Sequence, residues 1–350
     1  MVILTHYFKN VIVFSFGWSG VDLFFVLSGF LISSRIIPFI NSKNFLSNFY
    51  INRALRIFPL YYSFLIIFFS IWFILISFNY FKNYTFYAHN WWTFFLFFQN
   101  WAYIIDLMKN NTADFFIMHF WSLAVEEQFY LFFPLCVIAL KRVQSIFVCS
   151  IALVVAILLI RSIYFLSVIS VYKYAFTYWN TFFRLDSFLI GVILYCVIKL
   201  QKNTTSFLQY FRIVFILLTL TLCVVFYLNH GATKTNSFFP TIGYTLIAII
   251  YSYFIYFSLF SENIICNRLM KNYWLVFIGK ISFGLYIFHV PIFFICEIIF
   301  NKLSLNIHFQ NPFKIIFVGL LSFTITLMVS SLSFKYFESY FLKKKIKTVL

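Results

Sequence analysis

Charged residues, and acidic ones above all, are scarce in this sequence. Aspartate and glutamate together number 9 in 350 residues, and all charged residues make up 10%. Hydrophobic residues make up 63%, and the mean hydropathy is +0.94. The core of a soluble protein of this length could not hide so much apolar surface, so the composition indicates an integral membrane protein. The apolar runs are too long and too free of alternation for barrel strands, which leaves an all-α polytopic fold.

The sequence also lacks the usual patterns of cysteine and metal chemistry. Its 6 cysteines form no CxxC pair and mostly lie in apolar runs, which predicts packed thiols without a disulfide framework. No HExxH or comparable spacing of histidines and acids is present, so we expect no metal. We expect no nucleic acid as a partner, because the basic residues behind the net charge of +17 mark membrane topology instead of a soluble basic face. The first residues lack the pattern of a cleaved signal peptide.

Hydropathy, together with the breaks made by turn and charged residues, predicts about ten transmembrane helices in a single integral-membrane domain, 1–350. The segment 91–103 is apolar but short, so we expect an interfacial or re-entrant helix there. The predicted spans lie near 1–16, 20–40, 59–79, 119–140, 146–168, 184–200, 208–228, 239–260, 275–299 and 313–337.

The basic residues fall mainly on one side of these spans. Most of the 26 lysines and arginines lie in one set of loops, which includes Arg53 and Arg56, and in the C-terminal tail. The positive-inside rule places that side, with both termini, in the cytoplasm. The lysine-rich tail is expected to be attracted to anionic membrane lipid.

A stretch that begins at His119 carries two adjacent carboxylates, Glu126 and Glu127. On a helix, His119, Ser122, Glu126 and Tyr130 share one face. A lipid-facing stripe of this kind would be costly, so this face is expected to look into protein or water as the wall of an active site. The alternative is that the two glutamates lie at the membrane edge and reach the headgroups.

Five motifs follow one another along the chain. The most specific combines Asp22, Ser28 and Gly29 in an otherwise apolar run. The motifs are Gly20–Ser33, Arg53–Pro59, Trp121–Pro134, Phe183–Gly191 and Ser282–His289. Together they closely resemble acyltransferase family 3, the polytopic membrane O-acyltransferases that include bacterial O-acetyltransferases of lipopolysaccharide, capsule and other surface glycans.

The resemblance implies transfer of an acyl group, usually acetyl from acetyl-CoA as co-substrate, to a hydroxyl of a cell-surface polysaccharide or lipid-linked glycan. It also implies a multi-pass protein of the bacterial cytoplasmic (inner) membrane. A histidine in the first span looks like the catalytic base of the family, and His6 is the only residue here that matches it. The chemistry suits the residue, because imidazole takes a hydroxyl proton near neutral pH.

The sequence departs from the family at its beginning. Members carry an arginine well before that histidine, on a longer first span, whereas this sequence starts at Met1 with His6 close behind. The first helix is therefore expected to be truncated and too short to cross about 30 Å of hydrocarbon unaided. A misplaced start codon and a genuine truncation would both produce this pattern, and a genuine truncation would favour an inactive acyltransferase.

Charged residues inside or beside the spans supply further candidates. Asp22 could orient His6 as the acid of a catalytic dyad, or it could pair with a buried arginine such as Arg184. Arg53 and Arg56 are three apart and match the RxxR motif of the family, so we favour binding of the acyl-CoA phosphates by their guanidinium groups. The alternative for these two residues is a positive-inside anchor.

The Trp121–Pro134 motif supplies candidates for catalysis and for the acceptor. Glu126 and Glu127 fall on positions that members of the family commonly fill with acids, and either could bind acceptor hydroxyls or help to relay the proton. Trp121 could stack on a sugar face as a substrate-binding residue, or it could belong to an interfacial belt.

The last two motifs add candidates for substrate binding. Arg184 and Asp186 are two apart, so they lie on different faces and each is expected to pair with another helix, Arg184 being the better site candidate. Tyr286 and His289 are three apart and share a face. His289 is either a substrate-binding residue or a packed membrane histidine.

A transporter or flippase of lipid-linked sugars is the rival from another class. Such a protein would also place residues like Asp22, Glu126 and Arg184 along a substrate path in the membrane. No inverted repeat is evident, and the two halves of the sequence do not share interrupted helices. The sequence therefore favours acyl transfer.

Overall fold

A computed structural model describes residues 1–8, 11–42, 44–78, 85–110, 116–201, 204–228, 237–261, 264–303 and 312–346. These residues are predominantly helical and contain no strand, as the all-α prediction requires. The α-helices are α1 (Val2–Tyr7), α2 (Gly20–Ile36), α3 (Phe45–Ser77), α4 (Thr85–Phe95), α5 (Gln99–Asn110), α6 (Trp121–Leu140), α7 (Val143–Ser167), α8 (Lys173–Trp179), α9 (Thr181–Leu200), α10 (Thr204–Leu228), α11 (Tyr244–Phe260), α12 (Ile264–Met270), α13 (Tyr273–Lys280), α14 (Ser282–Leu303), α15 (Pro312–Ser333) and α16 (Ser339–Leu342). Short 3-10 helices cover Ile12–Ser19, Ile37–Phe39 and Met118–Phe120, and single π-helical turns cover Phe239–Gly243 and Phe334–Glu338.

Among the described residues, 8 helical stretches are long and apolar enough to cross a membrane. This agrees with a multi-pass membrane protein, although the expected count of ten is not confirmed. The stretches are Phe14–Phe39, Phe45–Ser77, Met118–Leu140, Val143–Ser167, Thr181–Leu200, Phe239–Phe260, Tyr273–Lys302 and Lys314–Leu342.

The first predicted span, 1–16, does not form one helix. Helix α1 ends at Tyr7, and the 3-10 helix that begins at Ile12 runs directly into α2, so it lengthens the second span. The predicted span 208–228 falls on α10, of which a shorter part, Phe211–Tyr227, is apolar. The short segment 91–103 is divided between α4 and α5, neither of which belongs to a candidate span.

Two compact units alternate along the chain. The first unit comprises Met1–Val2, Val11–Lys43 and Ser122–Arg268, and the second comprises Ile3–Asn10, Asn44–Trp121 and Leu269–Leu350.

The first unit is built around α9, in which 72% of the apolar span is buried. Helix α9 packs on α2 through two glycines. A side chain on Gly29 would overlap the carbonyl oxygen of Phe188, and one on Gly191 would overlap the carbonyl oxygen of Val26. Because neither glycine has a Cβ, the two backbones approach closely, as small residues allow in membrane helices. This close crossing brings polar groups of α2 and α9 within hydrogen-bonding distance.

The second unit combines the paired helices α14 and α15 with α3 and the short helices α4 and α5. Hydroxyl groups on α3 hold the end of α4, since Tyr61 donates to the carbonyl of Phe94 at 2.9 Å and Tyr62 donates to that of Phe95 at 3.0 Å. The rings of Tyr61 and Phe97 stack at 4.5 Å. The Tyr61 ring also lies 5.5 Å from that of Phe120, so these contacts connect α3 and α4 to the turn that contains His119.

Candidate active site

Two of the predicted site residues meet in the second unit. Nδ1 of His6, on α1, lies 2.9 Å from Nε2 of His289, on α14. The ring centroids are 5.0 Å apart and the planes differ by 26°, a separation compatible with a hydrogen bond between the ring edges. The other ring nitrogen of His289, Nδ1, lies 2.7 Å from the backbone carbonyl oxygen of Tyr286. The sequence placed Tyr286 and His289 on one face, and the structure adds His6 to that pair.

The residue next to His6 fixes α1 on its neighbours. The Tyr7 hydroxyl donates to the carbonyl oxygen of His289 at 3.0 Å and lies 2.7 Å from Oγ1 of Thr326 on α15. Since the phenol proton is used in the first bond, the Thr326 hydroxyl donates in the second. Tyr7 is 1% exposed. A six-residue helix has little stability of its own, so these contacts determine where the His6 ring lies.

A third histidine, His119, lies against the same group. Its ring centroid is 4.8 Å from that of His289 and 5.5 Å from that of Tyr286. The Tyr286 hydroxyl donates to the backbone carbonyl of His119 at 2.7 Å. With a side chain that is 4% exposed, His119 faces protein, as the sequence predicted for its side of the helix.

Side chains of α4 and α5 hold the turn that carries His119. Gln99 donates to the carbonyl of Phe120 at 2.9 Å, and Tyr103 donates to the carbonyl of Ile117 at 2.9 Å. The amide of Ile117 donates to the Tyr87 hydroxyl at 3.0 Å. Burial raises the pKa of the Tyr87 and Tyr103 phenols, so both keep their protons near neutral pH.

A proline in α14 leaves one carbonyl available beside this group. Pro291 has no N–H to donate to the carbonyl of Ile287 four residues earlier. The carbonyls of Tyr286 and Ile287 both lie next to the His119 ring. The carbonyl of Ile287 therefore lacks its intrahelical donor and lies beside the His119 ring as a backbone acceptor.

In the first unit, Glu126 belongs to a chain of three polar side chains. The Ser28 hydroxyl donates to Oε1 of Glu126 at 2.9 Å, and the Tyr130 hydroxyl donates to Oγ of Ser28 at 3.0 Å. The Glu126 side chain is 3% exposed. It therefore faces protein, and the alternative that it reaches the headgroups is wrong for this residue.

The neighbours of Glu126 in the same motif differ in exposure. Glu127 is half-buried. Trp121 is 4% exposed, so it does not belong to a lipid-facing belt. Its proposed role in stacking on a sugar stays a prediction.

Two buried ion pairs link helices of the first unit. Nη2 of Arg184 donates to Oδ1 of Asp22 at 2.5 Å, and Nη1 of Arg161 donates to Oδ2 of Asp186 at 2.8 Å. All four side chains are fully buried. The prediction that Arg184 and Asp186 each pair with another helix is confirmed. Of the two alternatives for Asp22, the structure adopts the pair with the arginine.

Hydroxyls and aromatic rings complete the surroundings of these charges. Ser187 donates to Asp22 at 3.0 Å, and Thr245 donates to Asp186 at 2.6 Å while accepting from Arg161 at 2.7 Å. The Arg184 guanidinium carbon lies 4.3 Å from the Tyr244 ring centroid, within cation–π range. Buried charges with this many partners form a defined scaffold, although such pairs are not by themselves strong stabilisers.

The predicted donor-binding arginines lie on α3 in the second unit, inside a helix that begins at Phe45 and not in a loop. The Arg53 side chain is half-exposed and Arg56 is exposed. Being three apart, they point to the same side of the helix. Glu338, which accepts from the Ser333 hydroxyl at 3.1 Å, lies within electrostatic range of Arg56.

Sequence reasoning missed several members of these groups. Tyr7, Thr326 and Glu338 carry no motif that marks them. Arg161 had a usable signal, because an arginine inside an apolar span usually has a buried partner. Among the residues that the structure describes, no group of three or more histidine, cysteine, aspartate or glutamate side chains could hold a metal ion.

Comparison with known proteins identifies the family of this chain. A family model described as an acyltransferase domain matches residues 1–331. The chain is 28% identical over 357 residues to a protein of Staphylococcus aureus strain COL named "Putative O-acetyltransferase SACOL0978", covering 95% of this chain and 54% of that protein. It is also 28% identical over 364 residues to the O-acetyltransferase OatA of Staphylococcus aureus strain NCTC 8325 / PS 47, covering 97% of this chain and 55% of that protein.

The chain thus spans about half the length of the curated relatives it matches. No solved structure matches it significantly. Because the family model covers nearly the whole chain, including all five motifs, this protein belongs to the acyltransferase family.

Proposed function

We propose that this protein is a membrane O-acyltransferase that moves an acetyl group from acetyl-CoA to a hydroxyl of a cell-surface polysaccharide or lipid-linked glycan. Family membership supports the reaction class, and the names of the relatives favour acetyl as the acyl group. The observation in this chain that carries the proposal is the hydrogen bond between His6 and His289, because it gives the candidate base a defined orientation.

In this mechanism His6 is the general base. Its imidazole takes the proton of the acceptor hydroxyl while the hydroxyl oxygen attacks the carbonyl carbon of the thioester. The carbon–sulfur bond breaks, and the imidazolium returns the proton to the departing coenzyme A sulfur. A covalent relay, in which a group of the protein first carries the acetyl, would use the same base in its second half.

The donor would be held by the arginines of α3. Arg53 and Arg56 offer guanidinium groups that suit the phosphates of coenzyme A, and both are at least partly exposed. For the glycan acceptor, Trp121 and Tyr286 of the second unit and, independently, the carboxylates Glu126 and Glu127 of the first unit stay candidate contacts, whereas Arg184 is already paired with Asp22. We place the protein in the bacterial cytoplasmic (inner) membrane with both termini in the cytoplasm, as the distribution of lysine and arginine favours.

The transporter alternative is less well supported. The family to which the chain belongs is defined by acyl transfer. The ion pairs Asp22–Arg184 and Asp186–Arg161 neutralise these four buried charges within the first unit, so they do not require a transported substrate as a partner.

The decisive experiment compares the wild-type protein with a His6→Ala variant in a strain that lacks the gene. O-acetyl content of surface polysaccharide is measured by NMR, and transfer from acetyl-CoA is measured with purified protein in detergent. General-base catalysis contributes roughly 10²–10⁴-fold, so turnover should fall by that factor. A His89→Ala variant is the matched control, since His89 is an exposed histidine of α4.

The outcomes separate the alternatives. Loss of one O-acetyl signal with an unchanged amount of glycan establishes the transferase and identifies its acceptor. Unchanged acetylation with less surface glycan supports a transporter instead. Full turnover in a folded His6→Ala variant would remove His6 from the mechanism.

A further inference from the structure

The bonds around His289 define which of its nitrogens carries a proton. The carbonyl oxygen of Tyr286 can only accept, so the contact of 2.7 Å makes Nδ1 of His289 the donor. The His289 ring is 0% exposed, and a second proton would place an unpaired positive charge in a buried position. Nε2 of His289 therefore carries the lone pair.

This arrangement dictates the tautomer of His6 in turn. A hydrogen bond between two ring nitrogens needs one proton, and Nε2 of His289 has none. Nδ1 of His6, at 2.9 Å, must therefore donate. A neutral imidazole has one N–H, so the other nitrogen of His6, Nε2, is the basic one.

We propose that His289 is a positioning residue for His6: it accepts the Nδ1 proton of His6 and thereby presents Nε2 of His6 as the base. The inference rests on the proposed function, in which His6 deprotonates the acceptor. The protein uses a neutral imidazole fixed on a backbone carbonyl where a catalytic triad uses a carboxylate. His289 is then not a substrate-binding residue.

The same contacts assist the chemical step. When Nε2 of His6 takes the hydroxyl proton, the ring becomes cationic and its Nδ1–H bond to His289 becomes a charge-assisted one, which is stronger. When Nε2 gives the proton to the coenzyme A sulfur, the ring returns to its starting tautomer. No proton leaves through His289, so the tautomer of His289 is the same before and after turnover.

Two features of the second unit keep this geometry in place. Tyr7 holds α1 on α14 by donating to the carbonyl of His289 at 3.0 Å. The His119 ring packs edge-on against the His289 ring at 70°. Among the titratable side chains of this unit, Tyr7, His119 and Tyr286 contact the His6–His289 pair.

The test uses three variants of His289 in the full chain. His289→Gln places a neutral oxygen near the position of Nε2 and should retain turnover within about tenfold, whereas His289→Leu offers no acceptor and should lower kcat about 10²-fold with the KM for acetyl-CoA unchanged. His289→Glu offers a carboxylate to the His6 N–H. A carboxylate favours the imidazolium, so it raises the pKa of His6 and shifts the acidic limb of the kcat/KM profile to higher pH.

A measurement on the wild-type protein does not depend on whether the His289 variants fold. Nitrogen-15 NMR of histidine-labelled wild-type protein distinguishes the two neutral tautomers, with the His6 signal assigned from a His6→Gln sample. We expect the proton on Nδ1 of both His6 and His289 near neutral pH. A proton on Nε2 of His6 would overturn the proposal.

Failure of the proposed role of His6 and failure of the proposed role of His289 would give different results. If His6→Ala keeps its turnover, His6 is not the base and the proposed function loses its mechanism. If His6→Ala is inactive but His289→Leu keeps the wild-type kcat and pH profile, His6 remains the base and the positioning role of His289 is wrong.

Discussion

Asp22 on α2 and Arg184 on α9 form an ion pair at 2.5 Å in which neither side chain is exposed. Removal of one partner leaves the other charge buried without compensation, which costs about 3–5 kcal/mol in well-studied proteins. We therefore expect Asp22→Asn and Arg184→Gln each to lower the thermal unfolding temperature of the protein in detergent. The measurement is fluorescence-detected unfolding of the purified variants.

The double variant is the matched control for this pair. With both charges removed, no unpaired charge remains, so Asp22→Asn combined with Arg184→Gln should be more stable than either single variant. If the two single effects simply add, the pair does not contribute as an ion pair, and Asp22 is retained for another reason such as the catalytic role first considered for it.

The sequence predicted such pairing and offered Arg184 as one possible partner of Asp22, but it did not name the partner of Asp186. A charge inside an apolar span needs an opposite charge, which was enough to expect Arg184 and Asp186 to bond to other helices. The identity of the partners depends on helix crossings, and hydropathy does not contain them. Arg161 was therefore not recognised from the sequence as a partner, although it forms the pair with Asp186.

The group formed by His6, Tyr286 and His289 was also only partly predictable from the sequence. The His6 assignment came from its resemblance to a family, and the Tyr286–His289 face came from helical spacing. Their meeting depends on a short helix held by Tyr7 and Thr326, and neither of these residues carries a pattern that distinguishes it from others in an apolar run. Contacts between residues so far apart in sequence require the fold.

The close approach of α2 and α9 at Gly29 and Gly191 gives a second prediction. Gly29→Ala and Gly191→Ala would each place a methyl group on a backbone oxygen of the partner helix, so α2 and α9 must move apart. Since that movement also separates polar partners such as Ser187 from Asp22, we expect both variants to unfold at lower temperature and to express poorly.

Gly279→Ala is the control for this experiment, because a Cβ at Gly279 on α13 would meet nothing within 4 Å. It should be as stable as the wild type or slightly more stable, since alanine favours a helix over glycine by roughly 0.8–1.0 kcal/mol. Equal stability of all three variants would show that the crossing has room to adjust.

A third prediction concerns the carboxylate of Glu126. Glu126→Gln keeps an acceptor for the Ser28 hydroxyl but removes the charge, so we expect turnover to fall about 10²-fold with little change in stability if this carboxylate handles a proton or an acceptor hydroxyl. The measurement is steady-state transfer to the glycan identified in the cell experiment.

Two further variants serve as comparisons for Glu126→Gln. Tyr130→Phe removes the hydroxyl that donates to Ser28 and should change turnover a few-fold at most. Glu297→Gln alters a half-buried carboxylate on α14 that belongs to none of the groups described above, and it should leave turnover unchanged. If Glu126→Gln is fully active, Glu126 has a structural role in the chain of polar groups and not a chemical one.

The last prediction separates donor binding from membrane anchoring at Arg53 and Arg56. A hydrogen bond from a charged donor is worth about 1.5–3 kcal/mol, so loss of one arginine at a phosphate should raise the KM for acetyl-CoA by about tenfold or more. An anchor would instead affect membrane insertion and leave the KM of the inserted protein unchanged.

The donor itself provides the sharper readout. S-Acetylpantetheine carries the same thioester but no phosphate, so the wild-type protein should prefer acetyl-CoA over it. The arginine variants should lose that preference while keeping their activity toward the shorter donor. Arg53→Lys and Arg56→Lys should keep only part of the preference for acetyl-CoA, since an ammonium does not bind a phosphate in the bidentate geometry of a guanidinium.

Arg35→Ala, which removes an exposed arginine at the end of α2, is the matched control and should behave as the wild type. If the preference for acetyl-CoA survives in the variant that lacks both Arg53 and Arg56, the phosphates of the donor are bound elsewhere, and these arginines act as the anchor that their charge alone would predict.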